Sequence, residues 1–265
     1  MNDFHIHSTY SHDAVSGMEE YIVKAIDDGM QAICFTEHLD FNKVSSGYGK
    51  YSPEEFFKEF QRMKLRYENR VDICAGIEAG EPHLYSEEMT AASKYPYDFI
   101  LGSVHWAGKL YPGKSLIGKV SAKEFFGIYW EEILKAVKHG DFDALAHIDL
   151  PGRCYRELYY TEAVIREIFK YLLDKNRVLE INTSSIRKGV RGTLIDDELL
   201  EIYKDCGGKY ITIGSDAHRM QDMGADYQQA RALALRCGLQ EVIFKKRKMV
   251  LTGSSISVTN VGERK

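Results

Sequence analysis

Histidines are concentrated at the start of this chain. The first residues read MNDFHIHSTYSHD, which places three of the nine histidines at positions 5, 7 and 12. Side chains alternate along an extended strand, so we expect Asp3, His5 and His7 on one face and Phe4 and Ile6 on the other. Two neighbouring imidazoles beside a carboxylate make a poor hydrophobic core and a good metal site. The opening stretch therefore predicts metal ligands on a strand.

Similar ligands follow later apolar runs. The full set contains seven histidines, one glutamate and one aspartate: His5, His7, His12, His38, Glu78, His105, His147, Asp216 and His218. Burying that many imidazoles without a metal would cost free energy. The other two histidines, His83 in a loop and His139 at a helix end, are interpreted as ordinary histidines. A carboxylate such as Glu78 can bridge two ions and activate the water between them. The set suits three divalent ions, and its ligand types are compatible with zinc, manganese or iron.

Strands alternating with helices must position these ligands. The strand-like runs are residues 4–7, 32–35, 71–77, 99–104, 144–146, 178–181 and 210–213, and the helix-like segments are 17–28, 53–69, 122–138, 162–175 and 196–205. This alternation is typical of parallel α/β proteins, and seven strands favour a closed, TIM-like (β/α)7 barrel. The C-terminal strand ends of such a barrel share one face, where active sites lie. We expect one domain over residues 1–265, with the barrel at roughly 1–245 and an edge element or loose tail after it, including residues 253–265.

Composition limits the partners and the compartment. The 265 residues include 35 Lys and Arg against 39 Asp and Glu, which gives a net charge of −4 and no basic excess for nucleic acid or an anionic membrane. The five cysteines are scattered without a CxxC pair, which is typical of reduced cysteines in a cytoplasmic protein. We find no export signal and no apolar run long enough to span a membrane.

Several motifs together resemble one known family. DFHIHS, Thr36-Glu37-His38, GIEAG, GSVH, AHID and GSDAH are similar to motifs of the PHP (polymerase and histidinol phosphatase) family. The stretch EINTSSIRKG resembles the corresponding stretch of the PHP-type histidinol-phosphatases in particular. The resemblance implies a distorted seven-stranded (β/α) barrel, a trinuclear metal site and hydrolysis of L-histidinol phosphate to L-histidinol and inorganic phosphate in histidine biosynthesis. A PHP phosphoesterase acting on nucleotides or other small phosphate esters is the alternative.

The family pattern also implies how the ligands are divided. The resemblance gives a first site of His5, His7, Glu78 and Asp216, a second of Glu78, His105 and His147, and a third of His12, His38 and His218. Glu37 stands where many family members have aspartate, and we interpret it as a tolerated change beside a ligand. All the ligand positions are filled, which argues against a degenerate, inactive domain.

Phosphate ester hydrolysis needs a nucleophile, charge stabilisation and a proton for the leaving group. We expect a water or hydroxide bridging two ions to attack the phosphoryl group, with Glu78 as the bridging ligand and Asp216 or a histidine such as His218 as proton donor. Arginines suit phosphate oxygens, and the candidates are Arg153, Arg156, Arg187 and Arg191, of which Arg153 and Arg187 are preferred. Recognition of the imidazole and amine stays open among Tyr48, Glu81, Trp106 and Tyr111.

Two further classes of protein remain as alternatives. A barrel hydrolase of the amidase or deaminase type usually carries a metal-bridging lysine or another ligand arrangement, whereas the sixth predicted strand offers Glu180 and Asn182. A non-catalytic metal-binding or regulatory module would have no need of nine intact ligands. The sequence does not decide the oligomeric state.

Overall fold

A computed structural model describes residues 1–113, 115–189 and 195–252 of the chain. In this part of the chain, nine strands form one sheet and lie in it in chain order. The strands are β1 (Asn2–Ile6), β2 (Ala32–Leu39), β3 (Asp72–Gly80), β4 (Phe99–Ser103), β5 (Ala144–Leu145), β6 (Val178–Asn182), β7 (Tyr210–Gly214), β8 (Gln240–Lys245) and β9 (Lys248–Leu251). Neighbouring strands are parallel from β1 to β8, and β8 pairs antiparallel with β9.

Helices connect the parallel strands. They are α1 (Met18–Asp27), α2 (Pro53–Arg66), α3 (Ser86–Ala92), α4 (Ala122–His139), α5 (Gly152–Tyr155), α6 (Glu162–Asp174), α7 (Ser184–Arg187), α8 (Asp197–Asp205) and α9 (Tyr227–Arg236). At the start of α2, Ser52 Oγ accepts a hydrogen bond from the Glu55 N–H, and Pro53 occupies the first helical position, where its missing N–H costs nothing. None of the helices in the described ranges is both long and apolar enough to cross a membrane.

The predicted parallel α/β class is confirmed, but the number of strands is not. All seven predicted strands form, and β8 and β9 extend the sheet to nine strands. The first strand also lies beside the seventh: the His7 N–H donates to the Ala217 carbonyl at 2.9 Å, and the Asp216 N–H donates to the His5 carbonyl at 2.8 Å. These bonds bring the ends of β1 and β7 together.

Two separate hydrophobic clusters surround the strands. One packs the helices against the sheet and contains Ile6, whereas the other is built from strand residues and contains Phe4. The predicted common packing face of Phe4 and Ile6 is therefore wrong. The register of β1 against β2 shifts between Asp3 and Ile6, and this irregularity breaks the simple alternation.

The β8–β9 hairpin is anchored to the beginnings of three other strands. Lys245 forms an ion pair with Asp72 at the start of β3, and the Arg247 N–H donates to the Asp98 carbonyl at 2.8 Å, just before β4. The Arg247 Nε atom contacts Asp143, which precedes β5. The predicted tail at residues 253–265 lies outside the described residues. All five cysteines are free thiols, as the sequence predicts.

Candidate metal centre

The predicted ligands lie at the C-terminal ends of the parallel strands. His5 belongs to β1, His38 to β2 and Glu78 to β3, whereas His105, His147 and Asp216 follow β4, β5 and β7. Among the described residues, four groups of three side chains could each hold a metal ion: His5, His7 and Asp216; His5, Glu78 and His147; His38, Glu78 and His105; His7, His38 and His218. Eight of the nine predicted ligands therefore belong to at least one group.

Glu78 occupies the centre of this cluster. Its side chain is 1% exposed, so neighbouring groups and not water must stabilise its negative charge. Its two oxygens lie near five imidazole nitrogens: Oε1 is 2.6 Å from His147 Nε2 and 3.1 Å from His105 Nε2, and Oε2 is 2.9 Å from His38 Nδ1, 3.4 Å from His5 Nε2 and 3.5 Å from His7 Nε2. One carboxylate thus faces imidazoles from several strands and belongs to two of the groups that could hold a metal ion.

Asp216 lies beside the histidines of the first strand and of the segment after it. Its Oδ1 atom lies 3.9 Å from His5 Nε2, 3.7 Å from His7 Nε2 and 3.5 Å from His218 Nδ1. Its backbone is left-handed, with φ of 54°, and is held there by the hydrogen bond to the His5 carbonyl. A non-glycine residue in this region carries strain, which is common at functional sites.

The third predicted group is only partly assembled. His38 and His218 approach one another, with 3.3 Å between their Nε2 atoms, and the ring of His7 stacks on both. His12 lies further out: its ring centroid is 5.6 Å from that of His38, and its Nε2 atom is 2.7 Å from Ser46 Oγ.

Buried polar atoms test whether a metal fits this cluster. Among the described residues, His5 Nε2, His7 Nε2, His38 Nδ1 and Glu78 Oε2 are buried side-chain atoms without a hydrogen-bond partner. Leaving such atoms unpaired costs free energy, and all four converge on the same centre. A divalent cation would coordinate them, so the residues fit a metal site.

Hydrogen bonds behind two of the histidines direct their free nitrogens inward. His5 Nδ1 lies 2.6 Å from Glu180 Oε1, and His7 Nδ1 lies 3.0 Å from Ser11 Oγ. Ser11 in turn donates to Glu37 Oε2 at 2.6 Å. A carboxylate or hydroxyl acceptor fixes the tautomer with the proton on Nδ1, which leaves the Nε2 lone pair free for a metal. Glu37 therefore acts on the cluster through Ser11.

Basic side chains surround the two central carboxylates. Burial would raise the pKa of the Glu78 carboxyl, but His5 and His105 hold that pKa well below its usual range. Burial would likewise raise the pKa of Asp216, and His5 and Arg153 lower it well below its usual range. Both groups stay anionic, and a divalent cation would supply the same stabilising charge.

The predicted arginines differ in how close they come to the cluster. Arg153 is buried and donates to Asp216 Oδ2 and to Asn182 Oδ1, each at 2.9 Å. Arg187 donates to the Ser215 carbonyl, one residue before Asp216. Arg156 instead donates to the Lys188 carbonyl and is exposed. Arg191 lies outside the described residues.

The candidate residues for substrate recognition differ in exposure and in contacts. Glu81 is buried and accepts the backbone N–H groups of His105 at 2.6 Å and Trp106 at 3.0 Å. Trp106 and Tyr111 are in ring contact, with centroids 5.2 Å apart. Tyr48 is 45% exposed. Glu81 thus fixes the loop that carries His105.

Three residues at the site escaped the sequence analysis. The sequence sets Glu180 only against the bridging lysine of other barrel hydrolases, although a charged residue inside the apolar strand VLEIN is a signal of a buried polar role. Ser11 and Asp13 flank His12 directly, and that proximity was the available signal. Asp13 lies 3.5 Å from His38 Nε2 and 3.3 Å from His218 Nε2.

The fold and the site together define an α/β protein with a buried cluster of candidate metal ligands at the C-terminal ends of its parallel strands. The model of the PHP domain matches residues 3–184. Because this match spans more than half of the chain, the protein belongs to the PHP domain family.

Known relatives extend the similarity over nearly the whole chain. A probable histidinol-phosphatase of Clostridium acetobutylicum is 33% identical over 93% of this chain and 98% of the relative. The histidinol-phosphatase of Lactococcus lactis is 28% identical over 91% of this chain and 92% of that protein. A crystal structure of the Lactococcus lactis histidinol phosphate phosphatase, in complex with zinc, L-histidinol and phosphate, superposes with a TM-score of 0.84 at 27% identity, covering 94% of this chain and 98% of that one.

Proposed function

We propose that this protein is a histidinol-phosphatase, which hydrolyses L-histidinol phosphate to L-histidinol and inorganic phosphate in histidine biosynthesis. The observation that carries the proposal is the cluster of unpaired imidazole and carboxylate atoms around Glu78. The similarity to the Lactococcus lactis enzyme, whose crystal structure contains zinc, L-histidinol and phosphate, supports the choice of substrate. The free thiols and the biosynthetic role favour the cytoplasm.

The cluster would hold three divalent ions, with zinc favoured by the relative's structure and manganese or iron as the other candidates. The proposed sites are His5, His7, Glu78 and Asp216; Glu78, His105 and His147; and His12, His38 and His218. When bound, the ions supply Lewis-acid activation of a water and charge stabilisation for the phosphoryl oxygens. Glu180 and Ser11 keep the ligating nitrogens of His5 and His7 directed at the ions.

The architecture that supports this site would be a distorted (β/α)7 barrel within a single domain. The hydrogen bonds between β1 and the residues after β7 favour closure of the sheet. In this arrangement the β8–β9 hairpin lies outside the ring of seven strands and is tied to the starts of β3, β4 and β5.

Arginines from the loops after β5 and β6 would bind the phosphoryl oxygens. Arg153 is the better placed of them, because its guanidinium already contacts Asp216 at the edge of the cluster. Arg187 donates to the carbonyl of Ser215, the residue before that aspartate. Arg156 contacts the Lys188 carbonyl instead of the cluster. The leaving alkoxide would take its proton from His218, because the Asp216 carboxyl, the other predicted donor, stays anionic.

The test is phosphate release from L-histidinol phosphate, compared with a panel of nucleotides and sugar phosphates. The protein is assayed after metal loading and after chelator treatment, with Glu78→Gln as the disabled variant and the exposed Glu167→Gln as the matched control. We expect strong preference for L-histidinol phosphate, loss on chelation and recovery with added metal. Preference for nucleotides would replace the substrate assignment with the alternative phosphoesterase, and no release from any ester would exclude a phosphatase.

A further inference from the structure

Asp13 extends from the loop between β1 and α1 toward all three histidines of the proposed third site. Its carboxylate oxygens lie 3.5 Å from His38 Nε2, 3.3 Å from His218 Nε2 and 3.8 Å from His12 Nδ1. The family motifs assign no role to Asp13. Three imidazole nitrogens directed at one carboxylate suggest that it shares their ligand.

We propose that Asp13 is a fourth protein ligand of the third ion, beside His12, His38 and His218. The inference rests on the proposed metal centre and adds a ligand to it. It also assigns Asp13 a specific consequence, because this carboxylate sets how tightly the third ion is held.

Charge explains why the third site would need such a ligand. The first site has two carboxylates, Glu78 and Asp216, and the second shares Glu78, whereas three neutral imidazoles alone would leave the third ion with its full charge. A carboxylate oxygen is a suitable partner for zinc, manganese or iron in a mixed imidazole site. For zinc, three histidines and one aspartate also complete a four-coordinate shell.

Backbone hydrogen bonds hold the loop on both sides of Asp13, and the one after it reaches the segment that carries His218. The Val15 N–H donates to the His218 carbonyl at 3.0 Å, and the Ser11 N–H donates to the Ser8 carbonyl at 2.8 Å. The approach of Asp13 to His218 is therefore built into the loop and does not depend on its side chain alone.

An ordinary surface ion pair is the competing explanation, because the Asp13 side chain is 44% exposed. Such a pair contributes at most about 1 kcal/mol and weakens with salt. It would also leave the metal content unchanged. Metal binding therefore separates the two explanations directly.

The experiment measures zinc per chain by mass spectrometry after dialysis against buffers of fixed free zinc concentration. Wild type is compared with Asp13→Asn, with Asp13→Glu, with His12→Ala and with Asp174→Asn, an exposed aspartate at the end of α6 that serves as the charge-matched control. In Asp13→Asn we expect one ion to dissociate at a free zinc concentration at least about tenfold higher than in wild type, with the other two retained. Asp13→Glu should recover part of the affinity, and Asp174→Asn should match wild type.

The inference would be overturned if Asp13→Asn bound three zinc ions with the same affinity as wild type. If His12→Ala lost an ion and Asp13→Asn did not, the third site would have no carboxylate ligand. Neither result would touch the proposed function, which depends on phosphate release by the wild-type protein. A wild type that binds only two ions would remove the third site and this inference together. Thermal unfolding of each variant without metal checks that the loop substitution leaves the fold intact.

Discussion

The Oε1 atom of Glu180 lies 2.6 Å from His5 Nδ1, and the Oε2 atom of the same side chain accepts a hydrogen bond from the backbone N–H of His147 at 2.9 Å. One buried carboxylate on β6 therefore fixes residues at the ends of β1 and β5. The contact with Nδ1 holds the His5 imidazole in the correct tautomer and orientation, and the bond to the backbone holds the segment that carries His147. Glu180 acts as a positioning residue for two of the proposed metal sites.

Replacing Glu180 with glutamine should weaken metal binding although the side chain keeps its size. A glutamine has one acceptor oxygen and an NH2 donor in place of the two carboxylate oxygens, so it cannot accept hydrogen bonds from both His5 Nδ1 and the His147 backbone N–H. We expect Glu180→Gln to lower metal affinity by about 10- to 100-fold, measured by competition with a chelator. Glu167→Gln on the exposed surface of α6 is the control. Unchanged affinity would mean that Glu180 does not position these ligands.

Gly214 at the end of β7 leaves space for this arrangement. A Cβ atom at position 214 would overlap with the Cβ atom of His5 and with Glu180 Oε1, whereas at Gly127 in α4 it would meet nothing within 4 Å. We expect Gly214→Ala to cost about 1–3 kcal/mol of unfolding free energy and to lower metal content. Gly127→Ala should gain about 0.5–1 kcal/mol, because alanine favours a helix interior. Denaturant unfolding measures both, and equal stability of the two variants would contradict the packing argument.

The neighbouring arginines should differ in their effect on catalysis. Arg153 is buried against Asp216, and Arg156 is exposed and bound to the Lys188 carbonyl. We expect Arg153→Ala to lower kcat/KM for L-histidinol phosphate by about 100-fold, the usual effect of losing one donor to developing charge. Arg156→Ala should have a much smaller effect. Steady-state kinetics of both variants provide the comparison, and a larger loss in Arg156→Ala would reverse the assignment.

The sequence could predict the seven parallel strands because each is a short apolar run between amphipathic segments. It could not predict the β8–β9 hairpin, because lysine and arginine interrupt the apolar pattern at residues 245–248. Lys245 pairs with Asp72 and Arg247 with Asp143, and Asp98 accepts the backbone N–H of Lys246; all three aspartates are distant in sequence. Long-range pairing of this kind leaves no local periodicity to detect.

The types of the ligands could be predicted from the local sequence, but the orientation of their rings could not. Histidine after a strand is visible in the sequence, whereas the direction of each ring nitrogen depends on a partner such as Glu180 or Ser11. The position of Asp13 among the third set of histidines depends on how the loop before α1 meets the segment after β7. Such contacts form only when the tertiary structure does.

Asp143, just before β5, joins the hairpin to the sheet in a buried setting. Its Oδ2 atom accepts the Ile100 N–H at 2.8 Å and contacts Arg247 Nε, and Arg247 also pairs with Asp141. Burial raises the pKa of the Asp143 carboxyl to about 6, although Arg247 opposes that increase. The native state therefore retains a proton at a pH where the unfolded chain has already lost it.

This difference predicts how stability changes with pH. Between about pH 4 and pH 6 the native state binds more protons than the unfolded state, so the contribution of Asp143 to the free energy of unfolding falls as the pH rises. In Asp143→Asn this decline should be shallower by up to about 1.4 kcal/mol per pH unit, measured by denaturant unfolding at fixed ionic strength. Asp141→Asn is the control, because it removes an ion pair with Arg247 but keeps the buried Asp143 carboxyl. Its stability should change with pH as in wild type. Identical slopes in Asp143→Asn and wild type would show that Asp143 does not hold a proton in the folded protein.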